Sequence, residues 1–383
     1  MRRVYCDANA TTPLAPEVLE AMRPYLMEEF GNASSIYFEG QRARKAVDGA
    51  RETLAAFFRC REAEVVFNSG GTEGDNTAIF GLVRAGDHLI TTAIEHSAVL
   101  RAAQRVAERG AEATFIAPRA DGSIDPEEIH RAIRPSTRMI SVMLANNETG
   151  VLQPVEAIGK IAADTGAFFH IDAVQGAGKV EFDVRRFCCH LCSISAHKMH
   201  GPKGVGAMYV RRGTPLDPQA VGGSHERRQR AGTENVPGIV GLGKAAELAM
   251  ESLADGTVER VAALRDHLEE GILQIAGTSV NGAGAPRVAN TANIRFAQLE
   301  GEALVIALDL KGVAVSGGSA CHSGSTEPSH VLMAMGLGKA AARSSLRFSL
   351  LRTATEEDVN QVLRVVPQAV EHLRALAPAA TGF

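Results

Sequence analysis

The sequence predicts an α/β protein: a mostly parallel central sheet with helices on both faces, followed by a smaller α+β C-terminal unit. Three observations carry this prediction. Short apolar runs alternate with helical runs from about residue 15 to 250, the order that yields parallel strands with crossover helices on both faces. Five of the apolar runs end in polar, glycine-rich segments, where open sheets of this kind bind ligands. Beyond about residue 250 the alternation gives way to strands mixed with helices, and 383 residues suffice for two sizeable cores.

Each element has a local reason. Residues 17–30, 41–58, 238–253 and 259–276 repeat apolar side chains at helical period. EVVF (64–67), HLITT (88–92), ATFIA (113–117), MISVMLA (139–145), FFHIDA (168–173), LCSIS (191–195) and VGAMYV (205–210) are short runs that read as strands. In the C-terminal unit NTANIRF, VAVS and SLRFSL read the same way. No internal repeat or low-complexity segment interrupts the chain.

Composition narrows the function. Hydrophobic residues at 45%, charged residues at 22% and 38 glycines describe an ordinary α/β protein. A net charge of −4 without any long Lys/Arg block argues against a nucleic-acid partner. With no run of eighteen apolar residues, no membrane helix is expected. The opening MRRVYCDANATT lacks the apolar stretch of a secretory signal. Six cysteines in so long a chain are not a disulfide framework, so a cytoplasmic location is expected.

The chemistry centres on Lys198, among Ser195, His197, His200, Lys203 and several glycines just after LCSIS. A lysine beyond the carboxyl end of a strand can serve as an amine nucleophile, or as the Schiff-base partner of a carbonyl or of pyridoxal phosphate. A surface lysine in a glycine-rich turn gives the same pattern. EVVF runs into Asn68-Ser69-Gly70-Gly71-Thr72-Glu73 and a helical stretch; free N–H groups at such a start suit a phosphate, although Thr72 could equally be a plain cap. HLITT leads to His96, MISVMLA to Asn146-Asn147, and FFHI to Asp172 and Gln175. A capped histidine and turn asparagines are ordinary readings taken singly. Asp172, after so apolar a strand, needs a buried partner, and a pyridinium N–H is one candidate. Together a lysine, an aspartate, a stackable histidine and a phosphate-binding helix start compose a pyridoxal phosphate site. The cluster Cys188-Cys189-His190-Cys192 invites a metal reading. Alternation along the incoming strand splits these side chains between two faces, and no second ligand pair has zinc spacing; small buried side chains are expected there and no metal.

DANATT, FGNASS, NSGGTEGDNTAI, EHSAVL, SVMLANNETG, FHIDAVQGAGK, SISAHKMHGPKGVGAMYVRRG, GGSHERRQRAGTEN, NTANIRF, SGGSACHSGSTEPSHVLMAMG and SSLRFSL stand in this order along the chain. In these blocks, over essentially its whole length, the sequence resembles the NifS/IscS-type cysteine desulfurases of the class V aminotransferase family. The resemblance implies a type I pyridoxal phosphate fold and a homodimer. It implies a large cofactor-binding unit over 15–250, and a small unit from 1–14 and 251–383 carrying a catalytic-cysteine loop. It makes Lys198 the Schiff-base lysine, Asp172 the partner of the pyridine nitrogen, Gln175 the partner of the ring hydroxyl, and His96 the stacking group and proton carrier. Gly71, Thr72, Ser195 and His197 would hold the phosphate, with Thr233 reaching in from the second subunit. Asn147 and Arg347 would hold the carboxylate of L-cysteine. Cys321, in a Gly/Ser-dense run that reads as an exposed loop, would take the sulfur as a persulfide and leave L-alanine. The sulfur would pass to an acceptor such as an iron–sulfur scaffold or another thiolation pathway. A selenocysteine lyase, an aminotransferase on the same fold, and a sulfur carrier without cofactor are the alternatives. The chain departs from the family pattern at Ala8, Ala33, Tyr37, His190, His322 and Leu351, none of them in the cofactor set.

Overall fold

The structure, a computed structural model, describes residues 2–317 and 327–376. Its central sheet has seven strands in the spatial order Val65–Asn68, Gly206–Val210, Leu191–Ser195, Phe168–Asp172, Thr137–Met143, His88–Thr92 and Glu112–Ile116. Gly206–Val210 runs antiparallel to both neighbours; every other pairing is parallel. The reversal has a simple cause. Residues 196–205 are fewer than the dozen or so that a parallel crossover needs, so the chain returns beside Leu191–Ser195 in the opposite sense.

Strand side chains alternate between two apolar layers, as a period of two requires. Val65, Phe67, Ile90, Ile140, Ile171 and Ile194 pack with the helices Phe38–Phe58, Val155–Thr165 and Val236–Ala254. Val66, Leu89, Met139, Leu191 and Met208 pack with Gly71–Leu82 and Ser97–Glu108 on the opposite face. The helix Gly71–Leu82 lies very close to the sheet: a Cβ at Gly74 would come within 2.6 Å of Ser193 Oγ. The first helix, Pro16–Met27, stops three residues short of its expected end. Glu28 and Glu29 follow it, where negative charge opposes the helix dipole.

The C-terminal part contains a four-stranded antiparallel sheet, Ser316–Gly317, Ser345–Ser349, Thr291–Phe296 and Thr278–Val280. The helices Thr257–Leu273, Gly301–Leu310 and Glu356–Leu376 bury their apolar side chains with it in a cluster of its own. VAVS divides between two sheets, because Val313–Ala314 pairs in parallel with the N-terminal Val4–Tyr5. The chain start therefore lies against the C-terminal core before it crosses to the large sheet. Among the described residues no helix is long and apolar enough to cross a membrane.

One buried ion pair fastens a long loop to the outer strand of the large sheet. Arg51, almost wholly buried, donates to both carboxylate oxygens of Glu226 at 2.6 and 2.8 Å and to the Val65 carbonyl at 2.8 Å. Its guanidinium lies 4.6 Å from the centroid of the Phe67 ring, and Glu226 also accepts the Phe67 N–H at 2.9 Å. Glu226, Arg227 and Arg228 all have positive φ, which costs roughly 1 kcal/mol or more at each non-glycine residue. The pair holds that bend. Glu226→Ala would strand a buried guanidinium, so it should cost about 3–5 kcal/mol in denaturant unfolding of the full chain, with Glu226→Gln losing less. A loss under about 1 kcal/mol in the alanine variant would show that the pair holds nothing.

Candidate active site

Strand ends from the large sheet and residues of the C-terminal core meet around a cavity of about 270 Å³. Gly71, Thr72, His96, Asn147, Asp172, Gln175, Ser195, His197, Lys198 and Arg347 all line it. One of the expected site residues is not in its wall: Thr233 is exposed on the loop before the helix Val236–Ala254. Cys321 and its neighbour His322 lie outside the described residues.

The floor of the cavity is built for an anion at one side. Gly70 has φ +143°, a conformation suited to glycine, and no side chain caps the helix Gly71–Leu82 that follows. Thr72 is the second helical residue, so it is not the plain cap it might have been. A Cβ at Gly71 would meet Val174 Cγ2 at 2.5 Å, and one at Gly70 would meet Ser195 Oγ at 3.3 Å. Glycine keeps this turn open and its first N–H groups uncapped by side chains. His197 sits beside it, with Nδ1 3.1 Å from Thr11 Oγ1. Burial, with Lys198 and Lys203 nearby, lowers its pKa to about 4, so the ring is neutral.

Lys198 Nζ donates to the backbone carbonyls of Asn9 and Ala10 at 2.5 and 2.7 Å. The 3-10 turn Ala196–Lys198 brings it there straight from the strand Leu191–Ser195. Asp172, at the end of Phe168–Asp172, is buried and accepts the Val174 N–H at 2.9 Å. Burial raises its carboxyl pKa, while His96, the Val174 N–H and Lys198 pull it back. Beneath it lies Asp75, also buried, and raised much further by burial and by the charge of Asp172. Burial raises both carboxyls, and at Asp172 the charges of His96 and Lys198 oppose that rise, so charge is favoured at Asp172 over Asp75. His170 Nε2 is 3.5 Å from Asp75, yet burial lowers its pKa to about 3. It is a neutral ring between Ser141 Oγ at 2.9 Å and Ser193 Oγ at 3.0 Å.

His96 caps the helix Ser97–Glu108: its Nδ1 accepts the Ala98 N–H at 3.2 Å. In the neutral ring the proton therefore sits on Nε2. On the opposite wall, fully buried Arg347 donates to the Asn147 carbonyl at 2.8 Å and to Asp7 at 2.7 Å. Its Nε and the side-chain oxygen of Asn147 are buried with no hydrogen-bond partner among the described residues. Such atoms are costly to leave unsatisfied, and a ligand carboxylate and amine would satisfy them.

Several groups at the site were not singled out from the sequence. Asp7 and Asn9 lie in the DANATT block but carried no assigned role; Glu95 and Glu148 flank His96 and Asn147 in sequence. Glu95 is buried, accepting from Thr92 Oγ1 at 2.7 Å and Met143 N at 3.0 Å, and burial raises its pKa to about 8. Burial likewise raises Glu148 to about 7, against the Ser329 hydroxyl at 2.5 Å and the charge of Arg347. Ser329 on Glu148 and His330, whose Nε2 lies 2.9 Å from the Glu95 carbonyl, dock the segment that resumes after residue 326. Among the described residues no group of three or more His, Cys, Asp or Glu is placed to hold a metal. Cys189 and Cys192 are buried together, and His190 packs edge-on to Phe168 at 5.1 Å and accepts the Phe169 N–H at the far end of the strands. Ala8 and Leu351 both line a small cavity of about 60 Å³ that Lys198 also lines.

The aminotransferase class-V family model matches residues 4–362. The chain is 47% identical over 381 residues to the cysteine desulfurase IscS of Methanosarcina thermophila, covering 98% of this chain and 94% of that protein. A solved structure described as a NifS-like protein superposes with a TM-score of 0.89 at 34% identity, over 97% of this chain and all of the other. A structure of SspA in complex with cysteine superposes with a TM-score of 0.80 at 35% identity, over 91% and 98%.

The raised carboxyls make stability fall with rising pH. A glutamate near 4.3 in the unfolded chain and about 8 in the fold binds more protons folded than unfolded between those values, so its contribution is present below about 4 and lost towards pH 8. Glu95→Gln removes that loss. In denaturant unfolding the variant should gain on the wild type between pH 5 and pH 8, by up to a few kcal/mol at about 1.4 kcal/mol per unit. Parallel stability curves across that range would show that Thr92 and Met143 keep Glu95 ionised.

Proposed function

The chain belongs to the class-V aminotransferase family and is a pyridoxal phosphate-dependent cysteine desulfurase, and we propose that it removes sulfur from L-cysteine in the cavity around Lys198. The observation that carries this reading is the donor set on one cavity wall: a lysine amine, a buried ionising aspartate and an uncapped glycine helix start. That set fits pyridoxal phosphate. Gly71, Thr72, Ser195 and His197 would hold the phosphate, Asp172 the ring nitrogen and Gln175 the ring hydroxyl, with His96 as the group that would stack on it. Bound there, the cofactor supplies an aldehyde that takes up amines and a ring that accepts the electron pair left at the substrate Cα.

This chain's side chains do the rest. Arg347, fixed by Asp7 and the Asn147 carbonyl, binds the substrate carboxylate, with Asn147 beside it. Lys198 would anchor the cofactor and act as the base that takes the proton from the substrate Cα. Asp172, whose charge His96, the Val174 N–H and Lys198 favour against burial, would face the ring nitrogen. Cys321 would take the sulfur as its thiolate: an S–S bond to Cys321 forms as the substrate C–S bond breaks, the electron pair of that bond stays on Cβ, and Cβ takes up a proton to become the methyl group of L-alanine. His96 would carry that proton.

The remaining assignments rest on less. A homodimer is supported by a run of exposed apolar side chains, with Phe30 80%, Ile36 89% and Phe38 66% exposed, and by Thr233 lying exposed away from its own cavity; Thr233 then serves the partner's phosphate site. A large unit over 15–250 and a small one from 1–14 and 251–383 agree with the separate apolar cluster of the C-terminal sheet. The five described cysteines are all free thiols, which suits the cytoplasm. Delivery of the persulfide sulfur to an acceptor protein such as an iron–sulfur scaffold follows from the IscS-type resemblance.

Two measurements test the core of this reading. Borohydride reduction of the loaded protein should fix the cofactor to the peptide carrying Lys198, and Lys198→Ala should leave a folded chain that no longer retains it. A label on Lys203 or Lys179 would sink the assignment. Cys321→Ser should still bind L-cysteine and change cofactor absorption, yet release almost no alanine. Mass spectrometry of the wild type after L-cysteine should find one added sulfur on the Cys321 peptide; finding it between Cys188 and Cys192, with Cys321→Ser still active, would move the nucleophile.

A further inference from the structure

Gln175 lines the cavity, and the two ends of its carboxamide behave oppositely: Nε2 only donates and Oε1 only accepts. Shape does not decide which end faces a ligand; the neighbours do. The backbone carbonyl of Asn9, an acceptor only, lies 2.8 Å from Nε2, and the Lys179 amine lies 2.7 Å from Oε1. Lys179 is fixed in turn by a 2.9 Å bond to Asn9 Oδ1. That oxygen is identified by the rest of its network. Asn9 Nδ2 donates to the Asn147 carbonyl and to Thr291 Oγ1, while Asn290 Nδ2 donates to Oδ1. Both bonds from Lys179 need only two N–H groups, so the arrangement stands whether or not the amine is charged.

We propose that Lys179 is a positioning residue that locks the Gln175 carboxamide, so that a second Nε2 hydrogen, and never the oxygen, is offered to the ring hydroxyl of bound pyridoxal phosphate. The proposal rests on the reading of this cavity as the cofactor site. A donor at that oxygen favours its anionic form. Without Lys179 the amide can turn over and set lone pairs against the same oxygen. Lys179 does not touch the cofactor's partners directly except through Gln175 and Asn9. Burial, and then the charges of Lys198 and Arg347, push its pKa well down; Arg352 and the His200 ring, whose own pKa burial lowers to about 4, share its small cavity.

The test uses the full chain loaded with pyridoxal phosphate, and reads the pH at which its visible absorption band changes. Wild type, Lys179→Met, Gln175→Ala and the double variant form a cycle, with Lys179→Arg as a donor-retaining control. Removing the donor leaves more negative charge on the chromophore, which then holds its proton to higher pH. Lys179→Met should therefore raise the midpoint by about half a unit to one unit, the scale of one hydrogen bond. Lys179→Arg should restore most of it, and Lys179→Met should add little once Gln175 is alanine. An unmoved midpoint overturns the proposal, as does a shift of equal size with and without Gln175, which would leave Lys179 acting by charge alone. A wild type without any visible band on loading would instead refute the cofactor reading. Should Lys179→Met fail to fold, Lys179→Leu, which likewise removes the donor, takes its place in the cycle with the same sign expected.

Discussion

Asn9 ties the site together because buried cations and amides require acceptors, and this one residue supplies or organises most of them. Its backbone carbonyl takes hydrogen bonds from Lys198 and Gln175. Its side chain joins Lys179, Asn290, Thr291 and the Asn147 carbonyl, and its N–H bonds Ser349 Oγ at 3.0 Å. The bonded groups come from the large sheet, from the C-terminal sheet and from the loops between them. The N-terminal segment can reach this point because Val4–Tyr5 pairs with Val313–Ala314 and Asp7 bridges Ser349. Misplacing that short stretch would disturb the lysine, the glutamine and, through Asp7, the arginine at once.

Around this strap the charges are sorted by what each can pair with. Arg347 and Lys198 face acceptors and ionising carboxylates; Asp75 and Glu95 face mostly neutral donors, and burial raises both. The contrast between Asp75 and Asp172 shows how finely neighbours act. Both are buried at the same sheet face, but only Asp172 has His96 and Lys198 close enough to favour its charge. Among the groups that favour charge on Asp172, His96 acts most strongly and Lys198 least, so neighbours across the cavity help to set its state.

Much of this was legible in the sequence, and the reason is geometric. Parallel strands deliver their carboxyl ends to one edge, so polar residues placed just after EVVF, HLITT, MISVMLA, FFHI and LCSIS had to converge, and all five sets line the cavity. The reversed strand Gly206–Val210 was less apparent, since its composition matches its neighbours and only the short connection betrays it. Asp75 and Lys179 were harder still. Asp75 sits inside a helical run where an acidic residue is expected on the surface; only the close approach of the helix at Gly74 turns it inward. Lys179 acts on a side chain four residues away through a contact that no spacing rule announces. Asn9 and Asp7 owe their roles to a crossing of the two cores, which is a tertiary fact.

The same crowding explains why the site is held at a cost. Glu95 and Glu148 are pushed to about 8 and 7, Lys179 is pushed down, and Asn147, Arg347 and Asp75 each keep a buried polar atom unsatisfied among the described residues. A chain optimised for stability alone would fill such positions with apolar groups of similar size. The polar groups have not been traded away. Asn147, Arg347 and Asp75 all line the cavity around Lys198, and a ligand that binds only the folded chain there offsets part of what these buried polar groups cost.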